Sequence, residues 1–142
     1  MKAIHYGHNK FDASQFKPIQ NQGREKPAGG LWACPEHNQN DWINYAWDTW
    51  GRITWPEDRI ELEIGEHARV LVIDGLEDLN RILKTTKLTW QCWELLDFEA
   101  LSKDYDVIHL TKKGQLETHE HGLFAWDVET VLIMNPEAMR VK

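Results

Sequence analysis

Few of the side chains able to do chemistry in this chain fall into a familiar catalytic signature. His119, Glu120 and His121 are adjacent, with His109 nearby. A His-x-His pair on a strand directs both imidazoles to one face and suits zinc. This segment reads instead as a polar loop, and Cys34 and Cys92 add no ligand spacing, so solvated histidines are expected and no metal is assigned. Cys34 follows an apolar stretch and precedes Pro35, with His37 close behind; nothing adjacent would stabilise a thiolate, so a buried structural thiol is expected. Ser14 and Ser102 have no nucleophile-elbow context, and there is no P-loop, no Gly-x-Gly-x-x-Gly and no Cys-x-x-Cys. Tryptophan stands out. The chain has eight, where average composition gives roughly two. Five of them (Trp32, Trp42, Trp47, Trp50 and Trp55) crowd one polar, Asn-rich stretch, which suits flat stacking surfaces in a ligand cleft.

Three short segments carry a more specific signal. Ile4-His5-Tyr6-Gly7-His8 opens the chain. Gly29-Gly30-Leu31-Trp32-Ala33 follows, with Trp42 about nine residues on. Asp127-Val128-Glu129-Thr130-Val131-Leu132-Ile133-Met134-Asn135-Pro136 stands near the end. In that order and spacing they resemble the ADP-ribosyltransferase superfamily, particularly its diphtheria-toxin-like and poly(ADP-ribose) polymerase branch, in a small bacterial or phage form. The resemblance runs through most of the chain, but about twenty residues carry it.

The resemblance implies NAD as co-substrate and a role for each segment. Breaking the nicotinamide–ribose bond builds positive charge on the sugar, which a fixed carboxylate stabilises; Glu129 holds the corresponding place. Trp32 and Trp42, with Tyr45 as a rival for the latter, would stack on the cationic nicotinamide. Gly7 would bond the carboxamide and His5 the adenosine ribose. The family histidine directly precedes its glycine, whereas Tyr6 intervenes here. Either Tyr6 takes that position, or His5 reaches it from the strand face it shares with Gly7. Asp127 would orient the acceptor or act as its base, unless it is a turn residue entering the strand. Lys112 to Phe124 would be the loop that meets the target, with Glu117 and Glu120 as lesser carboxylates. The expected activity is mono-ADP-ribosylation of a macromolecule, in the first place a protein. The alternatives are NAD hydrolysis and a non-catalytic acidic inhibitor on the same fold.

The bulk composition agrees with that assignment. The chain of 142 residues fits one domain, and its net charge of −7 argues against gripping a phosphate backbone. Only Lys112 and Lys113 offer a local basic rim. No apolar run is long enough for a membrane span or a secretory signal, and two cysteines imply no disulfide framework; a cytoplasmic protein without a membrane partner is expected.

The elements needed to hold these groups are legible as an α+β pattern. Short strands are expected at 3–7 and 30–34, then an exposed loop at 17–30 between them and a helix capped by Asp41. Arg59 to Ile64 alternates apolar and charged residues and reads as a half-buried strand. A strand at 68–73, a helix at 75–83, a helix from the Asp97 cap through Leu101, and strands at 105–110 and 129–134 follow. The segment 112–125 reads as loop. Strands without regular βαβ alternation lead to split, mixed or antiparallel sheets with short helices.

Overall fold

The computed structural model describes residues 1–51, 57–85, 87–90 and 93–142. Trp55 and Cys92 lie outside them. The described elements are β1 (Lys2–Tyr6), β2 (Leu31–Pro35), α1 (Gln39–Trp50), β3 (Arg59–Ile64), β4 (Val70–Ile73), α2 (Leu76–Thr85), β5 (Lys87–Trp90), β6 (Trp93–Leu96), α3 (Phe98–Asp104), β7 (Val107–Leu110), α4 (Lys112–Thr118), β8 (Thr130–Ile133) and β9 (Met139–Val141). None of the described helices is long and apolar enough to cross a membrane.

Side-chain periodicity explains the strands. In β3, Ile60, Leu62 and Ile64 are buried while Arg59 is exposed and Glu61 and Glu63 are half-exposed. All four residues of β8 are buried, as an unbroken apolar run requires when both sheet faces are covered. Alternation then sorts the core. Ile108, Leu110 and Leu132 pack on one side with Phe98 and Trp126, while Val107, Val131 and Ile133 pack on the other with Leu62 and Ile64.

Seven strands form one mixed sheet in the order β4-β7-β8-β2-β1-β3-β9, where the sequence led to split sheets; β5 and β6 make a separate hairpin. The pair β4–β7 is parallel and the other pairs in the sheet are antiparallel. The middle of this sheet is narrow. β1 and β2 pair only through Ala3↔Pro35 and Ile4↔Cys34, whereas β1 meets β3 at five positions. Just past the paired positions, the His5 ring replaces backbone pairing: its Nδ1 lies 2.7 Å from the Trp32 carbonyl oxygen.

Caps set the helices. Asp97 accepts from Ala100 N and starts α3, as expected. α1 begins at Gln39, so Asp41 is not its N-cap but lies in the first turn, where its charge suits the helix dipole and pairs with Lys112 at 3.0 Å. α1 ends at Gly51, whose left-handed backbone (φ 67°) donates its N–H to the Trp47 carbonyl. The supposed loop at 112–125 opens with α4: Thr111 Oγ1 accepts from Gly114 N, and Thr118 Oγ1 donates back to the Gly114 carbonyl. Segment 17–30 is not simply exposed. Gly30 N bonds the Lys17 carbonyl, Gln20 bridges Ala28, and Ile19 is buried. At Gly29 (φ 81°) an added Cβ would stand 2.1 Å from the Pro18 carbonyl oxygen, so only glycine lets the chain double back there.

Candidate functional site

Where β1 and β2 part, a cavity of about 310 Å³ opens. Its walls include His5, Tyr6, Trp32, Trp42, Tyr45, Asp127 and Glu129, seven of the eight residues singled out from the sequence. Gly7 is not among them, and its N–H is taken by the Asp58 carbonyl at 2.9 Å. A hollow of about 480 Å³ over β3 and β9 is lined by Arg59, Glu57 and Glu61 and has no aromatic wall.

Glu129 sits at the last residue before β8 and is only 6% exposed. Its Oε1 accepts from Asn38 Nδ2 at 2.6 Å, and its Oε2 is 2.8 Å from His109 Nε2. Both bonds have sequence-distant origins. Asn38 ends a 3-10 turn (Glu36–Asn38) just before α1. His109 pairs with Val131 across β7–β8, and Glu129 is two residues before Val131, so the two side chains are diagonal neighbours on one sheet face. The His37 Nε2 lies 3.7 Å from the same Oε2, and its side chain is 71% exposed. A carboxylate held at both oxygens cannot swing freely; its charge is aimed rather than diffuse.

The rings are placed by two elements. Trp32 on β2 packs edge-on against Trp126 at 4.9 Å between centroids, and Trp126 is a core residue whose Nε1 donates to the Glu25 carbonyl. Lys26 Nζ lies 5.5 Å from the centre of a Trp32 ring. Trp42 and Tyr45 are one helical turn apart on α1 and touch at 5.8 Å, and both contact Trp50. Trp47 and Trp50 are 53% and 58% exposed, so neither is a core residue, and neither lines the cavity. The side chains of Trp90 and Trp93 lie outside the described set.

Burial tunes the ionisable walls. It holds the His5 imidazole below its ordinary pKa, outweighing the bond to the Trp32 carbonyl, with His8 lowering it further. That carbonyl can only accept, so His5 Nδ1 carries the proton; neutral His5 then accepts at Nε2 from His8 Nδ1, 2.9 Å away. Burial raises the Tyr45 hydroxyl, and its bond to Asp127 Oδ2 at 2.8 Å adds to this. Burial also raises the Tyr6 phenol, which donates to Gln39 Oε1 at 3.0 Å. Lys26 is held below the usual lysine range by burial, against the opposing pull of Asp127. The Cys34 thiol is pushed up to about 12 by burial, and it donates to the Ile4 carbonyl; it is inert as a nucleophile.

Asn38, His109, His37 and Lys26 were not assigned to this site from the sequence. For three of them the signal is register or a long-range turn, neither of which local patterning contains. Lys26 lay in a stretch whose Pro, Gly, Asn and Gln content marks a loop without saying where it folds. The lesser carboxylates lie elsewhere: Glu117 pairs with Lys113 on α4 at 3.2 Å, and Glu120 is exposed. Both lysines of the supposed basic rim are paired, Lys112 with Asp41 and Lys113 with Glu117 and Asp74. His119 lies tilted against Phe124 at 5.2 Å between ring centres, and no cluster of three potential metal ligands occurs among the described residues. No family model, no curated protein and no solved structure matches the chain.

Proposed function

We propose that the chain is an NAD-dependent mono-ADP-ribosyltransferase that modifies a macromolecular target, in the first place a protein, and releases nicotinamide. The observation that carries the proposal is the Glu129 carboxylate, fixed at both oxygens by Asn38 and His109 and exposed to a cavity walled by Trp32, Trp42 and Tyr45. Departure of nicotinamide leaves an oxocarbenium-like ribose, and a pre-aimed anion stabilises that charge without having to reorganise. The nicotinamide ring is cationic until it leaves, so flat aromatic faces favour it in the ground state. That Trp32 already takes an ammonium group against its ring supports the same preference. Asp127, tied to Tyr45 at the mouth, would orient the incoming acceptor. With Gly7 bonded to Asp58 and His5 paired with Ile60, the carboxamide would be met by the Tyr6 backbone instead.

The test is incubation of labelled NAD with a cell lysate and either wild-type protein or Glu129→Gln. Label transfer by the wild type and its loss in the variant is the expected result. Nicotinamide release without labelled macromolecule would identify the hydrolytic alternative. If the wild type neither transfers label nor releases nicotinamide, the enzymatic reading fails.

A further inference from the structure

The far end of α1 is open to solvent. The helix buries one residue, Ala46, while Trp47, Asp48, Thr49 and Trp50 are all exposed. Trp47 and Trp50 stand three positions apart, which makes them neighbours on the helix surface. Trp50 also meets Trp42 and Tyr45, each at 5.7 Å between ring centres, and those two rings line the cavity. An aromatic strip thus runs without a break from the cavity wall to the exposed end of the helix. Apolar surface gathered in this way marks an interaction site, which singly scattered rings do not.

Charge selects the partner. α1 carries Asp41 and Asp48 and no lysine or arginine. Asp41 is taken by Lys112, whereas Asp48 makes no ion pair among the described residues. Asp127, bonded to Tyr45, sets another carboxylate beside the strip. The lysine of the cavity, Lys26, lies against Trp32 on β2 and not on α1. Indole faces next to carboxylates attract cations and repel a phosphate backbone. Among cationic side chains, a guanidinium both stacks flat on a ring and forks onto a carboxylate, and an ammonium does neither.

We infer that the exposed end of α1 docks a protein partner through an arginine-bearing segment. That this partner is the modified target, led along the strip toward Glu129, rests on the proposed transferase reading; the docking itself does not need NAD.

The experiment titrates the full chain into fluorescein-labelled peptides of alternating glycine and arginine, glycine and lysine, or glycine and glutamate, read by anisotropy. The arginine peptide should bind more tightly than the lysine peptide, and the glutamate peptide should not bind. Replacing both exposed rings, Trp47→Ala with Trp50→Ala, should weaken arginine-peptide binding about tenfold. Asp48→Asn should weaken it too and flatten its dependence on salt. Thermal melts of the variants show that the fold is kept. Equal binding of the three peptides, or unchanged binding by the double variant, overturns the docking surface. A wild-type dimer that the double variant dissolves in sedimentation would assign the strip to a second copy instead. Binding to neutral phospholipid vesicles, lost in the same variant, would assign it to a membrane; either result overturns the inference. If the wild type binds the arginine peptide but releases no nicotinamide from NAD, the transferase reading fails and the docking surface stands. If it releases nicotinamide but binds no peptide, only the docking surface is wrong.

Discussion

His109 Nε2 and Glu129 Oε2 stand 2.8 Å apart because the β7–β8 register makes them diagonal neighbours on one face of the sheet. The carboxylate is therefore mounted at the entry to β8, all four of whose residues are buried, and steered by an imidazole from the next strand. With Asn38 on its other oxygen, its direction is set from both sides.

Loss of that aim should cost turnover before it costs stability. Asn38→Ala removes one charge-assisted bond, worth about 1.5–3 kcal/mol, and should slow nicotinamide release by at least tenfold. Glu129→Gln keeps the shape and removes the charge, and should slow release by about 100-fold or more. Steady-state nicotinamide assays with thermal melts alongside separate the two effects. Normal turnover in a folded Glu129→Gln would remove the carboxylate from the mechanism.

The aromatic walls should report NAD directly. Titration of NAD should quench tryptophan fluorescence, and Trp32→Phe and Trp42→Phe should each reduce the quench. Trp42→Ala should weaken NAD binding by up to ~30-fold, equivalent to ~2 kcal/mol of cation–π attraction in a desolvated site. An acidic inhibitor with no NAD site would show no quench at any concentration.

Lys26 should show opposite signs in two assays. Burial holds its pKa in the folded chain below the unfolded value, so the unfolded chain binds the proton more tightly. The ionised group thus costs stability at neutral pH, a cost that vanishes above about 10.4, the ordinary lysine value. Lys26→Met should melt higher without ligand. The same change should weaken NAD binding about tenfold, because the ammonium would turn from Trp32 to the diphosphate. Calorimetry of the melt and of NAD binding checks both, and equal signs would refute the assignment.

Asp106 gives the clearest dependence of stability on pH. Arg69 bonds both of its oxygens, from Nη2 at 2.9 Å and Nε at 3.2 Å, and Arg69 N and Asn135 Nδ2 add two more bonds. The Arg69 side chain, ahead of the opposing burial, holds the carboxyl well below its usual range. Its folded pKa lies below its unfolded one, so its stabilisation is complete above about pH 4 and is lost as the pH falls further. Asp106→Asn should lose on the order of 2 kcal/mol at pH 7 and show a shallower acid decline in denaturant melts.

Elements with strong side-chain periodicity were readable from the sequence, and those held by tertiary contact were not. β3 matches its alternating run residue for residue, and α3 starts at the Asp97 cap. α4 was missed because its Gly114 interrupts a polar, weakly patterned segment; the helix needs that glycine, since a Cβ there would stand 2.0 Å from the Ile73 carbonyl oxygen. The hairpin β5–β6 and the edge strand β9 carry four and three residues, too few for a period to register. At the site, motif residues were visible because each sits in a local pattern. Asn38 was not, since its partner lies 91 positions away and only folding brings the two together.

The seam between β1 and β2 has a mechanical meaning. The strands β4, β7, β8 and β2 meet β1, β3 and β9 through two backbone pairings, the Cys34–Ile4 bond and an imidazole clasp from His5 to the Trp32 carbonyl, over a core that Leu62 and Ile64 share with Val131 and Ile133. Such a join is the part of the sheet with the fewest backbone bonds across it. The clasp survives protonation of His5, because Nδ1 still donates; only the bond from His8 is lost. Within the sheet, amide hydrogen exchange should therefore be faster at Tyr6, beyond the β2 pairing, than in β7 and β8, so the backbone beside the cleft yields while the strand behind Glu129 stays still.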